Sequence, residues 1–299
     1  MKETYYIAPF LIDIVDFVEP ISMGTFVIRR ITTDERNKFF NVKSFEVKQD
    51  GRIEMEFNAS QGPGNECLYD MYSPNEMESF RTDFKMKMCN FIIECNSCDE
   101  PEKVHKEFNN MIFAFRLYRS GFVCAPTLIS FNRVAYSHPQ YVRNNDNYKI
   151  NTEEISEVKK IYDAVCLTTN RLLLDAFGEF NDCVDIKANI KKSFVGLVSI
   201  IELLFINGSN EISLRFSLLV SYKLSNILGY RVNFDEIKSM YKCRSDIAHE
   251  ANSKLLTGEL LGKLELYTRT LLIWYINNYN CKNYNKEEGL LEVRNKLNI

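Results

Sequence analysis

The sequence predicts an α+β protein, with a mixed, strand-rich N-terminal domain over residues 1–147 and an all-helical antiparallel bundle over 148–299. Three observations carry that expectation. Up to about residue 150, short segments rich in aromatic and β-branched residues alternate with turn signals. Beyond it, apolar residues recur at helical spacing in nearly every segment. At the junction stands Asn151-Thr152-Glu153-Glu154, a capping residue followed by acids that suit the positive end of a helix dipole.

Taken in order, Thr25 to Ile31 (TFVIRRI) and Phe84 to Cys95 (FKMKMCNFIIEC) read as strands. Phe40 to Ala59 holds two alternating runs around Gln49-Asp50-Gly51, and Asp-Gly is a strong hairpin signal. Ser60 to Asn65 is a loop by composition. A helix follows from Pro101 to Tyr118, striped by Val104, Phe108, Met111, Ile112, Phe115 and Leu117.

Five helices are expected in the second half. The first runs from Asn151 to about Phe180. The second, Ile186 to Ile206, is apolar on several faces at Phe194, Val198, Ile201, Leu204 and Phe205, so it belongs at the centre. Asn207 to Asn210 is a turn, with Asn210 placed to cap a third helix that Gly229 stops after Leu228. A fourth opens at Asn233 or Phe234 and runs towards His249. The fifth covers Leu255 to Tyr279 and turns Leu260, Leu264, Tyr267, Leu271 and Trp274 inward. The polar tail after Asn280 frays or forms a short last helix.

Composition narrows the function. Hydrophobic residues make up 45% and charged residues 26%, the balance of a globular protein with a substantial core. No apolar run approaches the roughly 20 residues that cross a bilayer. The N-terminus carries acids within its apolar stretch and lacks a small-residue cleavage site, so a cytoplasmic location away from membranes is expected. Net charge is −3, from 37 basic and 40 acidic side chains. RNA would therefore be held by a local cluster or a symmetric groove rather than by bulk charge. The nine cysteines suit a reducing compartment. Cys95 and Cys98 form the one CxxC pair, with Cys89 and His105 nearby, but no second pair stands at finger spacing. No metal and no cofactor is expected. Phosphate-loop, dinucleotide, HExxH and GxSxG motifs are all missing.

The chemistry concentrates in Tyr241-Lys242-Cys243-Arg244-Ser245-Asp246-Ile247-Ala248-His249-Glu250. An Arg followed by four residues and a His, late on a helix within a bundle, resembles the R-x4–6-H signature of the HEPN superfamily. The segments Gly196 to Phe205 and Leu214 to Asn226 make the surroundings similar to the Apea-like branch of prokaryotic HEPN proteins. Phe108 to Phe131 is similar to the leader domain that precedes such bundles. The resemblance covers Glu153 to Tyr279, and the N-terminal part loosely.

The resemblance implies a metal-independent endoribonuclease with catalytic Arg244 and His249. Histidine is the one side-chain type whose ordinary pKa lies near neutrality, so His249 can serve as the base or acid that moves the 2′-hydroxyl proton, while Arg244 offers a charged planar fork to phosphate oxygens. The products would be a 2′,3′-cyclic phosphate and a 5′-hydroxyl. Positions five apart lie about 140° apart on a helix, so either the helix ends between the two residues or two chains assemble the site. HEPN relatives dimerise with their motifs facing across a shared cleft, which implies a homodimer. Ser245 and Asp246 could orient His249; relatives carry Asn, Asp or His directly after the Arg, and Ser245 departs from that. Glu202 could hold Arg244 by an ion pair. Lys238, Lys242 and Arg231 could guide the RNA backbone, or merely keep the helix soluble.

The family resemblance also implies anti-phage defence or a toxin-like response in which tRNA or another host RNA is cut, with the N-terminal domain sensing a phage trigger or a regulatory partner protein. Three rivals remain: a non-catalytic HEPN module that binds RNA or acts as a scaffold dimer, the toxin half of a pair silenced by a partner, and a helical protein-interaction domain unrelated to HEPN.

Overall fold

The computed structural model describes residues 4–10, 12–32, 42–47, 53–57, 90–121, 123, 125, 127–130, 134–136, 148–184, 189–208 and 211–297. It is a mixed α/β chain in which an antiparallel N-terminal sheet leads into a mostly helical remainder. Ten strands and eight helices stand among the described residues.

The strands are β1 (Thr4–Phe10), β2 (Asp13–Ile14), β3 (Ile21–Met23), β4 (Phe26–Arg30), β5 (Val42–Val47), β6 (Ile53–Phe57), β7 (Phe91–Ser97), β8 (Thr127–Ser130), β9 (Val134–Tyr136) and β10 (Lys149–Ile150). Six form one sheet in the order β3-β4-β7-β1-β8-β9. The register sets Tyr6 opposite Cys95, Ala8 opposite Ile93 and Phe10 opposite Phe91, and Ile28 also lies opposite Ile93. With a side-chain period of two, these buried residues share the face that packs on the first helix. The expected hairpin pairs β5 with β6, Val47 opposite Ile53; its Asp50-Gly51 turn lies outside the described residues, as do the loop at 60–65, Cys89 and the start of the Phe84 strand.

The helices are α1 (Pro101–Tyr118), α2 (Thr152–Cys166), α3 (Arg171–Val184), α4 (Ile190–Phe205), α5 (Ile212–Leu228), α6 (Phe234–Glu250), α7 (Gly258–Tyr279) and α8 (Lys286–Leu297). Helix α1 matches its sequence expectation, with Pro101 in its first turn, where a missing N–H costs nothing. Asn151 opens α2 through a reciprocal capping box with Glu154.

One expected helix is two. The run from Asn151 to Phe180 breaks after Cys166, because Thr168 folds its hydroxyl back onto the Ala164 carbonyl and Asn170 serves other partners. The Asn170 side chain accepts from Leu173 N–H at 3.3 Å and donates to the carbonyls of Tyr279 and Lys282 at 3.1 and 2.8 Å. An Asn used as an α3 cap and a tertiary staple cannot continue α2. Two other starts also shift. Asn189 and Thr257 cap α4 and α7, and Glu211, in the left-handed region at φ 53°, precedes α5; Asn210 lies outside the described residues. The polar tail forms α8.

Helix α4 is central, as its sequence requires. Phe194, Val198, Ile201, Leu204 and Phe205 are all within 2% of full burial, each worth roughly 1.5–3 kcal/mol relative to exposure. The apolar core runs from Tyr6 to Val293 without a break at residue 147. Strand β10 pairs in parallel with β2, the Tyr148 hydroxyl donates to the Phe115 carbonyl at 2.7 Å, and Arg269 Nε of α7 donates to the Arg116 carbonyl of α1 at 3.0 Å. The sheet and the helices thus share one interior. Among the described residues, no helix is long and apolar enough to cross a membrane.

Candidate functional site

Helix α6 carries Arg244 and His249, and its burial pattern decides where each points. Ile237, Met240, Cys243 and Ile247 recur at helical spacing and are buried, so the opposite face meets water. Lys238, Lys242, Ser245 and His249 follow at intervals of four, three and four residues and lie within about 60° of arc on that open face. The two lysines and His249 are exposed and Ser245 is partly so. This is a stripe with one imidazole at the helix end and two ammonium groups behind it. None of the four side chains hydrogen-bonds to another described residue.

Helix α6 continues through His249 to Glu250 and stops at Ala251, which adopts the left-handed region at φ 56°. His249 thus stands in the last turn of the helix, as expected, and of the two alternatives that the spacing left open, a helix end between Arg244 and His249 is excluded. No glycine or proline lies between them, and the helix termination falls on Ala251, whose carbonyl accepts from Lys191 Nζ of α4 at 2.9 Å. Within one chain the two residues stand about 140° apart.

Arg244 is turned towards α4. Its Nη2 donates to Glu202 Oε2 at 3.3 Å, the ion pair expected from an acid inside an apolar helix. The same carboxylate accepts from the Tyr241 hydroxyl at 2.9 Å through Oε1. The Arg244 guanidinium carbon lies 5.9 Å from the centre of the Tyr241 ring, which itself packs on Phe216 of α5 at 5.1 Å. Burial and the Glu202 hydrogen bond push the Tyr241 phenol up to about 12, so it remains a hydrogen-bond donor at neutral pH.

Asp246 does not serve His249. Its Oδ2 accepts from Ser253 Oγ at 3.0 Å, and Ser253 Oγ accepts in turn from Leu255 N–H at 3.2 Å. These bonds fold the segment after α6 back against the helix. Beside them Cys243 is buried, and burial pushes its thiol up, away from nucleophilic use.

The serines of α5 are also occupied locally. Ser217, Ser221 and Ser225 each donate to the carbonyl four residues earlier at 2.6 Å, which satisfies these three hydroxyls inside the helix. Among the described residues, no group of three or more His, Cys, Asp or Glu stands where it could hold a metal ion. Cys95 is buried in the sheet, Cys98 is exposed, and His105 Nδ1 lies 3.5 Å from Asn109 Nδ2.

The structure thus joins Arg244 to Glu202 and aligns Lys238, Lys242, Ser245 and His249, but it keeps the two sets on different faces. Sequence reasoning missed Tyr241. Its spacing of three residues before Arg244 was the available signal, since residues at that interval are neighbours on a helix. Arg231 is exposed just before α6. Compared with family models, with curated proteins and with solved structures, the chain matches none.

Proposed function

We propose that the chain is a HEPN-type, metal-independent endoribonuclease that works as a homodimer on tRNA or another host RNA. The observation that carries this reading is the stripe on α6, which sets an exposed imidazole in line with two lysines while a guanidinium stands on the adjoining face. A phosphodiester laid along the stripe would meet Lys242 and Lys238 as point charges for its backbone. His249 takes the 2′-hydroxyl proton, the 2′-oxygen attacks phosphorus, and Arg244 stabilises the charge growing on the phosphate oxygens. The departing 5′-oxygen needs a proton, which the His249 of a second copy supplies. Two copies related by a twofold axis bring an Arg244 of one to a His249 of the other, which removes the difficulty of about 140° within one helix.

A second reading has its own observation. Arg244 is already engaged by Glu202, and His249 lacks an orienting partner among the described residues, as suits a non-catalytic RNA-binding or scaffold dimer. In either case the N-terminal sheet would receive a regulatory partner or phage trigger, and defence or a toxin-like response is the setting that the resemblance suggests.

Incubation of total tRNA and mixed RNA in EDTA, with end analysis, separates these readings. The nuclease predicts cyclic-phosphate ends from the wild type, and losses of at least roughly a hundredfold in Arg244→Ala and in His249→Ala. Equal cleavage by all three proteins would sink the site assignment. RNA binding without cleavage by any of them would favour the scaffold.

A further inference from the structure

We infer that Tyr241 is a positioning residue that acts through Glu202 to aim Arg244 at an oxyanion; this rests on the proposed role of Arg244 in RNA cleavage. The argument starts from how little of the guanidinium is used. Arg244 has five N–H bonds to donate, and one contact, Nη2 to Glu202 Oε2 at 3.3 Å, engages it. Its Nε is buried and bonded to nothing among the described residues, and the side chain keeps 27% of its surface. A guanidinium serving only to bind two helices together would be expected to use its donors, because an idle buried donor costs free energy. Here Nη2 is gripped, and Nη1, which is neither hydrogen-bonded among the described residues nor shut from solvent, is left for a ligand.

The grip depends on Tyr241 in two ways. Its hydroxyl occupies Glu202 Oε1 at 2.9 Å, which leaves Oε2 as the oxygen facing Arg244. Its ring underlies the guanidinium and is held by Phe216, so Phe216, Tyr241, Glu202 and Arg244 form one chain of contacts across α5, α6 and α4. Removing the hydroxyl frees the carboxylate to rotate, and the guanidinium with it. The ground-state attraction between Arg244 and RNA survives that change, since the charge is still present. What is lost is alignment with the charge that develops during attack on phosphorus.

The substitution Tyr241→Phe isolates the hydroxyl, because the ring against Phe216 and Arg244 is retained. The expected result is a fall in kcat of roughly 10-fold to 100-fold, the weight of one hydrogen bond to a charged group, with KM within about twofold of wild type. In an Arg244→Lys background, which keeps a charge but no fork, adding Tyr241→Phe should change nothing further. A readout independent of cleavage is 15N NMR of the Arg244 side chain, identified by its loss in Arg244→Lys. Rotation about the Cζ–Nε bond should be slow in the wild type and fast in Tyr241→Phe. Unchanged rotation in Tyr241→Phe overturns the inference whatever happens to RNA, as does a rise in KM with kcat intact. Freed rotation in a protein whose wild type cuts no RNA leaves the positioning role standing and removes the nuclease reading instead.

Discussion

Two cations in the helical half have the same ingredients and different surroundings. Lys223 of α5 lies over the rings of Trp274 and Tyr284, at 5.0 and 5.3 Å, and pairs with Glu292 of α8 at 3.2 Å. Arg244 has one ring, Tyr241, and one carboxylate, Glu202. The Lys223 side chain keeps 11% of its surface and the Arg244 side chain 27%. An ammonium caged by two rings and tied across three helices is a clamp. A guanidinium supported on one side, with donors unused, is placed to meet something else. Substitution should separate the two. Replacing Lys223 by Ala removes two cation–π contacts and the packed stem of a buried side chain, and is expected to cost about 2–3 kcal/mol in urea unfolding. RNA cleavage per folded molecule should not change. Arg244→Ala should show the opposite pattern, with cleavage gone and stability lower by about 1 kcal/mol or less, since its ion pair is partly solvated. A large stability loss in Arg244→Ala would erase the distinction.

The clamp can be stressed without touching its charges. Gly289 of α8 packs on Tyr284, and a Cβ there would fall 1.6 Å from the Tyr284 hydroxyl oxygen. That ring is 7% exposed and also meets Phe205, Trp274 and Tyr279, so it has little room to retreat. Helix propensity alone would favour Ala over Gly by about 1 kcal/mol. Overpacking should reverse the sign, and Gly289→Ala is expected to destabilise by about 1–3 kcal/mol. Gly262 of α7 is the control, because nothing lies within 4 Å of a Cβ built there. There Gly262→Ala should stabilise by up to about 1 kcal/mol, as thermal unfolding would show. Equal effects at the two glycines would mean that α8 is not packed tightly on the cage.

The contrast also shows what could be read from residues in order. Helix α1, the central place of α4, the stop at Gly229 and the pairing of β5 with β6 each depend on periodicity or on a residue with one dominant local use, so they were legible. The break at Asn170 was not, because its cause is a turn more than a hundred residues away. The pairing of Glu202 with Arg244 could be anticipated because a lone acid in an apolar helix needs a partner. Tyr241 offered only its spacing of three from Arg244, and the cage around Lys223 offered nothing, since aromatic residues in amphipathic helices most often read as core. The strand β10 is too short to announce itself, yet by pairing with β2 it joins the start of the chain to the helices that follow.

The smallest expected effect concerns the open side of the clamp. Burial alone would push the Glu292 carboxyl up, but the hydrogen bond and charge of Lys223, with the Tyr222 hydroxyl at 3.1 Å, outweigh it and hold the group below the usual glutamate range. A carboxyl whose folded value is depressed contributes stability above its unfolded value, and that contribution is lost as pH falls through the folded one. The stability advantage of the wild type over Glu292→Gln should therefore be constant near neutrality and shrink below about pH 4.5. It should be modest at any pH, because this carboxylate is 48% exposed and well screened. Paired urea titrations at pH 7 and pH 3.5 measure it. An advantage that persists unchanged at pH 3.5 would show that the charge of Glu292 adds nothing to the hold on Lys223, making the clamp aromatic rather than ionic and widening its difference from Arg244.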